Sequence, residues 1–197
     1  MSDLKARLRR LAYSRRNAQP NREMCSRAIG RRLFGLPAYA KANTVMCYVH
    51  CRSEVCTDVL LQRISGDKRC VIPYCTHDSA GERVLGLWLF KDLSELVAGT
   101  WGILEPPPPR WTETGRCIDV HSLDLIVVPG VAFSRQGARL GNGAGYYDRL
   151  LNRVRADTVL VGLAYESQLV DDLPMQAHDV FMDYVITEKA VYQGKGR

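Results

Sequence analysis

The chain has 197 residues, 46% of them hydrophobic and 24% charged, and carries a formal net charge of +6. That length and balance fit one compact domain spanning residues 1–197 and exclude a largely disordered chain. No apolar run approaches the roughly 20 residues needed to cross a bilayer, and the basic stretch MSDLKARLRRLAYSRR lacks the apolar centre of a secretory signal, so a soluble cytoplasmic protein with no membrane partner is expected.

Leu4, Leu8 and Leu11 recur at helical spacing and predict an amphipathic helix over residues 3–16, with Lys5 and Arg9 four apart on one face. Two readings of that basic face are open, a solvated surface or an anion contact. Pro20 and Asn21 open a second helix that runs through Phe34 and stops near Gly35 and Pro37. TVMCYV at 44–49 reads as a buried strand, Thr57 to Ile64 as a helix with Thr57 as N-cap and Gly66 as stop, and RCVIP at 69–73 as a second buried strand. Strand, helix and strand within about 30 residues predict a parallel crossover unit, which binds ligands beyond the carboxyl ends of its strands. Glu54 sits just past such an end.

ERVLGLWLF predicts a further strand and DLSELVAG a brief helix. WGILEPPPPRW, with four consecutive prolines, reads as a polyproline-like surface loop. DLIVVPG at 124–130 is the clearest buried strand, GYYDRLLNRVR reads as a helix, and DTVLVGLAY and DYVITE supply two more strands. The predicted fold is α/β with a mostly parallel sheet flanked by helices, and no internal repeat is visible. Seven cysteines at 25, 47, 51, 56, 70, 75 and 117 form no CxxC pair and read as reduced thiols, several on core strands. A zinc site drawn from His50, Cys51, Cys56, Cys75 and His77 matches no structural zinc spacing.

Between the strand at 124–130 and the next helix lies RLGNGAGYYDR, residues 139–149. Alternating glycines at such a junction let backbone N–H groups approach an anion, although GxGxG is neither the dinucleotide pattern nor a Walker loop, and a purely structural turn is the other reading. Arg139 suits phosphate oxygens and Asp148 suits magnesium, while surface pairing and helix-dipole contacts are their plainer roles. Tyr146 and Tyr147 either pack in the core or divide the work, one stacking on a flat heterocycle and the other pointing inward.

PGVAFSRQGARLGNGAGYYDRLL, from Pro129 to Leu151, resembles the signature of the 5-formyltetrahydrofolate cyclo-ligase family, also called methenyltetrahydrofolate synthetases. KARLR, YVHCRSEVCT, RCVIP, WGILEP and HDVFMDYVIT follow in the family's order over nearly the whole chain. The resemblance implies a mixed α/β sandwich akin to sugar-phosphate isomerases and coenzyme A transferases. It also implies conversion of 5-formyltetrahydrofolate to 5,10-methenyltetrahydrofolate with ATP as cosubstrate and Mg2+ as cofactor, through an iminium phosphate, releasing ADP and phosphate.

Carried onto this sequence, the resemblance places Lys5, Arg9, Arg139, Leu140, Gly141, Asn142, Gly143, Ala144, Gly145, Tyr146 and Tyr147 at ATP. It places Arg9, Val49, Glu54, Asn142, Gly143, Ala144, Gly145 and Tyr146 at the folate, and Asp148 with Asp179 at the metal. Glu54 would hydrogen-bond the amide and amino donors of the pterin. Asn142, Ala144 and Ser134 depart from the commonest family pattern and bear on affinity and on preference for polyglutamylated substrate. A monomer is expected. Another ATP-dependent ligase or kinase, or a basic nucleic-acid module, is the competing reading. Against a nucleic-acid partner, the basic residues are dispersed and no recognition motif is present.

Overall fold

The computed structural model describes residues 2–176 and 179–197. In chain order it contains α1 (Ser2–Asn17), α2 (Arg22–Phe34), α3 (Pro37–Lys41), β1 (Thr44–Met46), α4 (Asp58–Asp67), β2 (Arg69–His77) and β3 (Arg83–Leu89). There follow β4 (Val97–Ala98), β5 (Leu104–Glu105), β6 (Leu125–Val128), β7 (Ala132–Phe133), β8 (Arg139–Leu140), α5 (Tyr146–Leu151), β9 (Val159–Leu163), β10 (Tyr184–Ile186) and β11 (Val191–Gln193). Among the described residues a seven-stranded sheet runs in the order β11-β10-β9-β6-β1-β2-β3, with β4-β5 and β7-β8 as separate ribbons. The five inner strands are parallel, and β3 and β11 close the two edges in antiparallel sense.

The apolar runs have a direct physical cause, because both faces of the sheet are covered. Leu125 and Val127 of β6 join the core that includes Ile29 and Leu33 of α2 and Leu61 and Ile64 of α4. Ile126 and Val128 join the opposite core with Leu150 and Leu151 of α5. Strands buried on two faces read as continuous rather than alternating hydrophobic stretches. No helix among the described residues is long and apolar enough to cross a membrane.

Several expected boundaries shift. The ladder of β1 ends at Met46 because Thr57 Oγ1 donates to the Tyr48 carbonyl at 2.8 Å and accepts the His50 N–H at 3.0 Å, drawing the chain out of the sheet. β2 extends to His77 along β3, and Pro73 falls where β1 no longer runs beside it, so no ladder on that side needs its absent N–H. The DLSELVAG stretch holds one 3-10 turn at Leu93–Glu95, capped by Asp92, and then enters β4. α5 stops at Leu151, well short of the predicted helix, as Asn152 Nδ2 donates to the Asp148 carbonyl at 2.8 Å and Arg153 N–H turns back to Leu150. The proline tract forms a short 3-10 turn at Pro108–Arg110, and this segment docks on β3 through Trp88, whose indole N–H donates to the Arg110 carbonyl at 3.3 Å. The Arg110 and Arg116 guanidiniums both stand over the Trp88 ring, and Glu95 pairs with both arginines.

Asp124 fastens the amino ends of the central strands. Its carboxylate accepts the Asn43 and Thr44 N–H groups at 2.9 Å each and pairs with Arg155 at 2.9 Å, while its carbonyl takes the Val159 N–H. Burial alone would raise this carboxyl, yet the Thr44 N–H, Arg155 and the Asn43 N–H hold it below the usual carboxylate range. A depressed folded value stabilises above the ordinary value of about 4 and is lost as pH falls through the lower one. Asp124→Asn should therefore cost about 2 kcal/mol in urea unfolding at pH 7. The gap to the parent protein should stay level down to about pH 5 and close below about pH 4.

Candidate active site

β1 and β6 are parallel neighbours at the middle of the sheet, and their chains leave in opposite directions, β1 through α4 to β2 and β6 toward β9. Such a switch in strand order opens a crevice beyond the carboxyl ends. A cavity of about 850 Å³, counting its open mouth, occupies that place. Tyr48, Val49 and Glu54 after β1 form one wall, Pro129 and Gly130 after β6 another, and the glycine loop from Gly141 to Asp148 the roof. A concave, partly apolar crevice of this kind suits a small organic ligand.

The roof owes its shape to glycine. Gly143 and Gly145 hold φ of 95° and 75°, a left-handed backbone that side chains resist. Arg139 lies beneath, only 6% exposed at its side chain, ion-paired with Asp148 and donating to the Pro129 carbonyl at 3.2 Å. A Cβ at Gly141 would stand 2.9 Å from Arg139 Nη1, so the loop rests directly on that guanidinium. Leu140 points the other way, into a small apolar cluster with Ala12, Val131 and Ala132 that docks α1 against the loop.

One face of α1 follows the roof. Lys5 Nζ donates to Asp179 at 3.1 Å, Arg9 Nε donates to the Gly141 carbonyl at 2.9 Å, and Tyr13 bonds Asn142. Arg16, buried among these elements, donates to Ser53 at 3.1 Å and lies 3.7 Å from the Glu54 carboxylate. Sequence reasoning missed Arg16, although it lies eleven residues after Lys5 and seven after Arg9 and so shares their helical face.

Glu54 meets the cavity from the β1 side. Burial pushes its carboxyl above the usual carboxylate range, against the downward pull of the Cys51 N–H, bonded at 3.0 Å, and of Arg16. Tyr147 turns inward as one of the two sequence readings has it, and its hydroxyl is buried without a hydrogen-bond partner among the described residues. Burial holds that phenol well above its ordinary range, so it remains a donor. Tyr146 faces the mouth, edge-on to Trp101 with ring centroids 6.0 Å apart.

Glu105 and Cys75 also line the cavity, and neither was singled out by sequence as part of this site. Glu105 is a buried staple that accepts the Cys75 N–H at 3.1 Å and the Thr100 N–H at 3.2 Å, joining the β4-β5 ribbon to β2. The Cys75 thiol is pushed up to about 12 by burial and by Glu105, which leaves it unreactive. An acid between apolar residues and prolines in WGILEP was the available signal for Glu105.

The predicted set thus divides. Val49, Glu54, Arg139, Asp148 and the loop from Gly141 to Tyr147 converge on the cavity. Lys5, Arg9 and Leu140 do not line it: Arg9 and Leu140 position the loop, and Lys5 reaches Asp179. Asp179 lies outside the lining as well and accepts Lys5 and the Gln176 N–H, while its neighbour His178 lies outside the described residues. Ser134, away from the cavity, caps the β7-β8 turn by accepting the Ala138 N–H at 3.2 Å.

A model of the 5-formyltetrahydrofolate cyclo-ligase family matches residues 2–188. The chain is 34% identical over 188 residues to a 5-formyltetrahydrofolate cyclo-ligase of Mycolicibacterium smegmatis, covering 94% of each chain. It is 32% identical over 164 residues to that of Escherichia coli, covering 82% of this chain and 87% of the other. Its fold is similar to a solved 5,10-methenyltetrahydrofolate synthetase of Aquifex aeolicus, with a TM-score of 0.79 and 34% identity over 98% of this chain and 95% of that one. With its glycine loop, its switch-point cavity and these relatives, the chain belongs to the 5-formyltetrahydrofolate cyclo-ligase family of enzymes.

Proposed function

We propose that this enzyme converts 5-formyltetrahydrofolate to 5,10-methenyltetrahydrofolate, using ATP and magnesium and releasing ADP and phosphate. The observation that carries the reading is the pairing, across one cavity, of a glycine roof held by α1 with a desolvated carboxylate, Glu54, on the opposite wall. The roof offers backbone N–H groups to phosphates, with the Lys5 and Arg9 cations behind it. Glu54 accepts the pterin amide and amino donors, Val49 packs on the ring, and Tyr146 with Trp101 presents aromatic faces at the mouth.

The formyl oxygen is a poor leaving group until phosphorylated. In the proposed sequence it attacks the γ-phosphate to give an iminium phosphate, nitrogen 10 closes the ring, and phosphate departs. Such a step needs alignment and charge neutralisation more than a protein nucleophile. Asp148, 41% exposed at its side chain and facing the cavity, fits a magnesium ion, which takes one or two carboxylates alongside substrate phosphates. Asp179, bound to Lys5, is the second carboxylate proposed for it. Magnesium would neutralise phosphate charge during transfer. Arg139, now committed to Asp148 and the Pro129 carbonyl, would share its donors with phosphate once Asp148 turns to the metal.

Mixing purified protein with magnesium, ATP and 5-formyltetrahydrofolate should generate the methenyl absorbance together with equimolar ADP. A lack of product at saturating substrates would refute the proposal. Removing the Glu54 charge by Glu54→Gln should raise KM for the folate by about 10- to 100-fold, as expected for a lost charge-assisted bond, and leave KM for ATP within about twofold. Because burial raises the Glu54 carboxyl, activity that needs its ionised form should fall as pH drops through a value above the ordinary 4.3 or so, and Glu54→Gln should lose that acid limb. Asp148→Asn should shift the magnesium concentration for half-maximal rate upward by at least about tenfold, read from initial rates against free Mg2+.

A further inference from the structure

The loop that joins β1 to α4 carries a second constellation outside the cavity. His50 Nδ1, Cys56 Sγ and a carboxylate oxygen of Asp58 lie within 4.8 Å of one another. His50 Nδ1 faces Asp58 Oδ1 at 3.3 Å, and Cys56 Sγ faces Asp58 Oδ2 at 3.8 Å. In a tetrahedral zinc site with bonds of about 2.0 to 2.3 Å, neighbouring donors stand about 3.3 Å apart for nitrogen and oxygen and about 3.6 Å for sulfur and oxygen. The two spacings fall on the two oxygens of one Asp58 carboxylate, and all three ligand atoms lie within 4.8 Å, so a small turn of the Asp58 or Cys56 side chain brings them round one ion.

The frame that holds them is built independently of any ion. The His50 N–H donates to Thr57 Oγ1 at 3.0 Å, Thr57 Oγ1 donates to the Tyr48 carbonyl at 2.8 Å, and the Cys56 N–H donates to Ser26 Oγ at 3.0 Å. Donors fixed before binding lose little freedom on binding. Besides facing Asp58, His50 Nδ1 accepts the Thr57 N–H at a long 3.4 Å, a weak bond that ligation would displace. The His50 and Asp58 side chains are 26% and 43% exposed, which leaves an access path and room for a water ligand.

We propose that His50, Cys56 and Asp58 form a zinc-binding site with three protein ligands and a fourth position for water. Imidazole, thiolate and carboxylate together suit zinc, whereas magnesium prefers an all-oxygen set, so the site is chemically separate from that of the nucleotide's metal. On binding, Cys56 releases its thiol proton to solvent and each ligand gives an electron pair to the ion, with no change of oxidation state. The ion would tie the start of the loop to the first turn of α4, and with it the segment that carries Glu54. The earlier sequence candidates shared only His50 and Cys56 with this trio. The spacing His-x5-Cys-x-Asp follows no standard zinc pattern, and the turn between β1 and α4 folds His50 back onto Cys56 and Asp58.

The reduced full-length chain, titrated with Co2+ as a spectroscopic stand-in, should develop a thiolate-to-cobalt charge-transfer band that saturates at one equivalent and is erased by Zn2+. Cys56→Ser should abolish the band, and His50→Ala should weaken Zn2+ at least about tenfold against a competing chelator. Cys117→Ser, at an exposed thiol elsewhere, should change neither. In the unaltered chain, one equivalent of Zn2+ should protect Cys56 from alkylation, read by peptide mass spectrometry, while Cys117 stays reactive. Failure of the band to appear, a band that survives Cys56→Ser, or Cys56 alkylation indifferent to Zn2+ would each overturn the proposal.

Discussion

The parallel pairing of β1 with β6 is the constraint from which the rest of the molecule follows. Two adjacent strands that run together and then part leave their carboxyl ends facing a gap that no strand can fill. Both faces of the sheet are already occupied by helices and loops, so the gap is closed from the ends of the strands. The glycine loop and α1 supply that closure. At the opposite end Asp124 ties β1, β6 and β9 together, so one edge of the central strands is locked and the other is free for chemistry.

The closure combines apolar and polar contacts with different duties. Leu140, Ala12, Val131 and Ala132 remove water from the joint between α1 and the loop and supply the non-directional adhesion. Arg9 on the Gly141 carbonyl and Arg139 beneath the roof set its orientation. A helix that delivers Lys5, Arg9, Tyr13 and Arg16 along one face makes the shape of the roof depend on docking between segments some 130 residues apart in the chain. Displacing α1 would therefore disturb the glycine roof and, through Arg16 and Ser53, the Glu54 side together.

Electrostatics within the cavity is arranged as opposites. Asp148 and Arg139 hold each other in check on one side, and Glu54 sits with a raised carboxyl on the other, softened by Arg16 and the Cys51 N–H. The Tyr147 hydroxyl, without a hydrogen-bond partner among the described residues, is buried beside both Glu54 and Arg139, and such burial carries a standing cost. A bound substrate that supplies an acceptor would relieve it. Residues that look equivalent in composition thus differ in readiness: Cys75, at the same cavity, is held as an inert thiol by burial and Glu105.

Much of this was determined by sequence alone. Apolar runs such as LIVV and VLVGL encode strands buried on two faces, and the order of strands and helices implies a parallel sheet. GNGAGYYD identifies the loop because a left-handed backbone at Gly143 and Gly145 demands glycine. Tertiary structure alone decided which cations reach the cavity, that Leu140 serves packing, and that Arg16 and Glu105 stand beside Glu54 and Cys75. It also shortened β1, where the Thr57 side chain bonds the Tyr48 carbonyl and the His50 N–H. Local pattern reports hydrogen bonding and burial along a segment, whereas a side chain's partner depends on which distant segment folds against it, and no periodicity encodes that pairing.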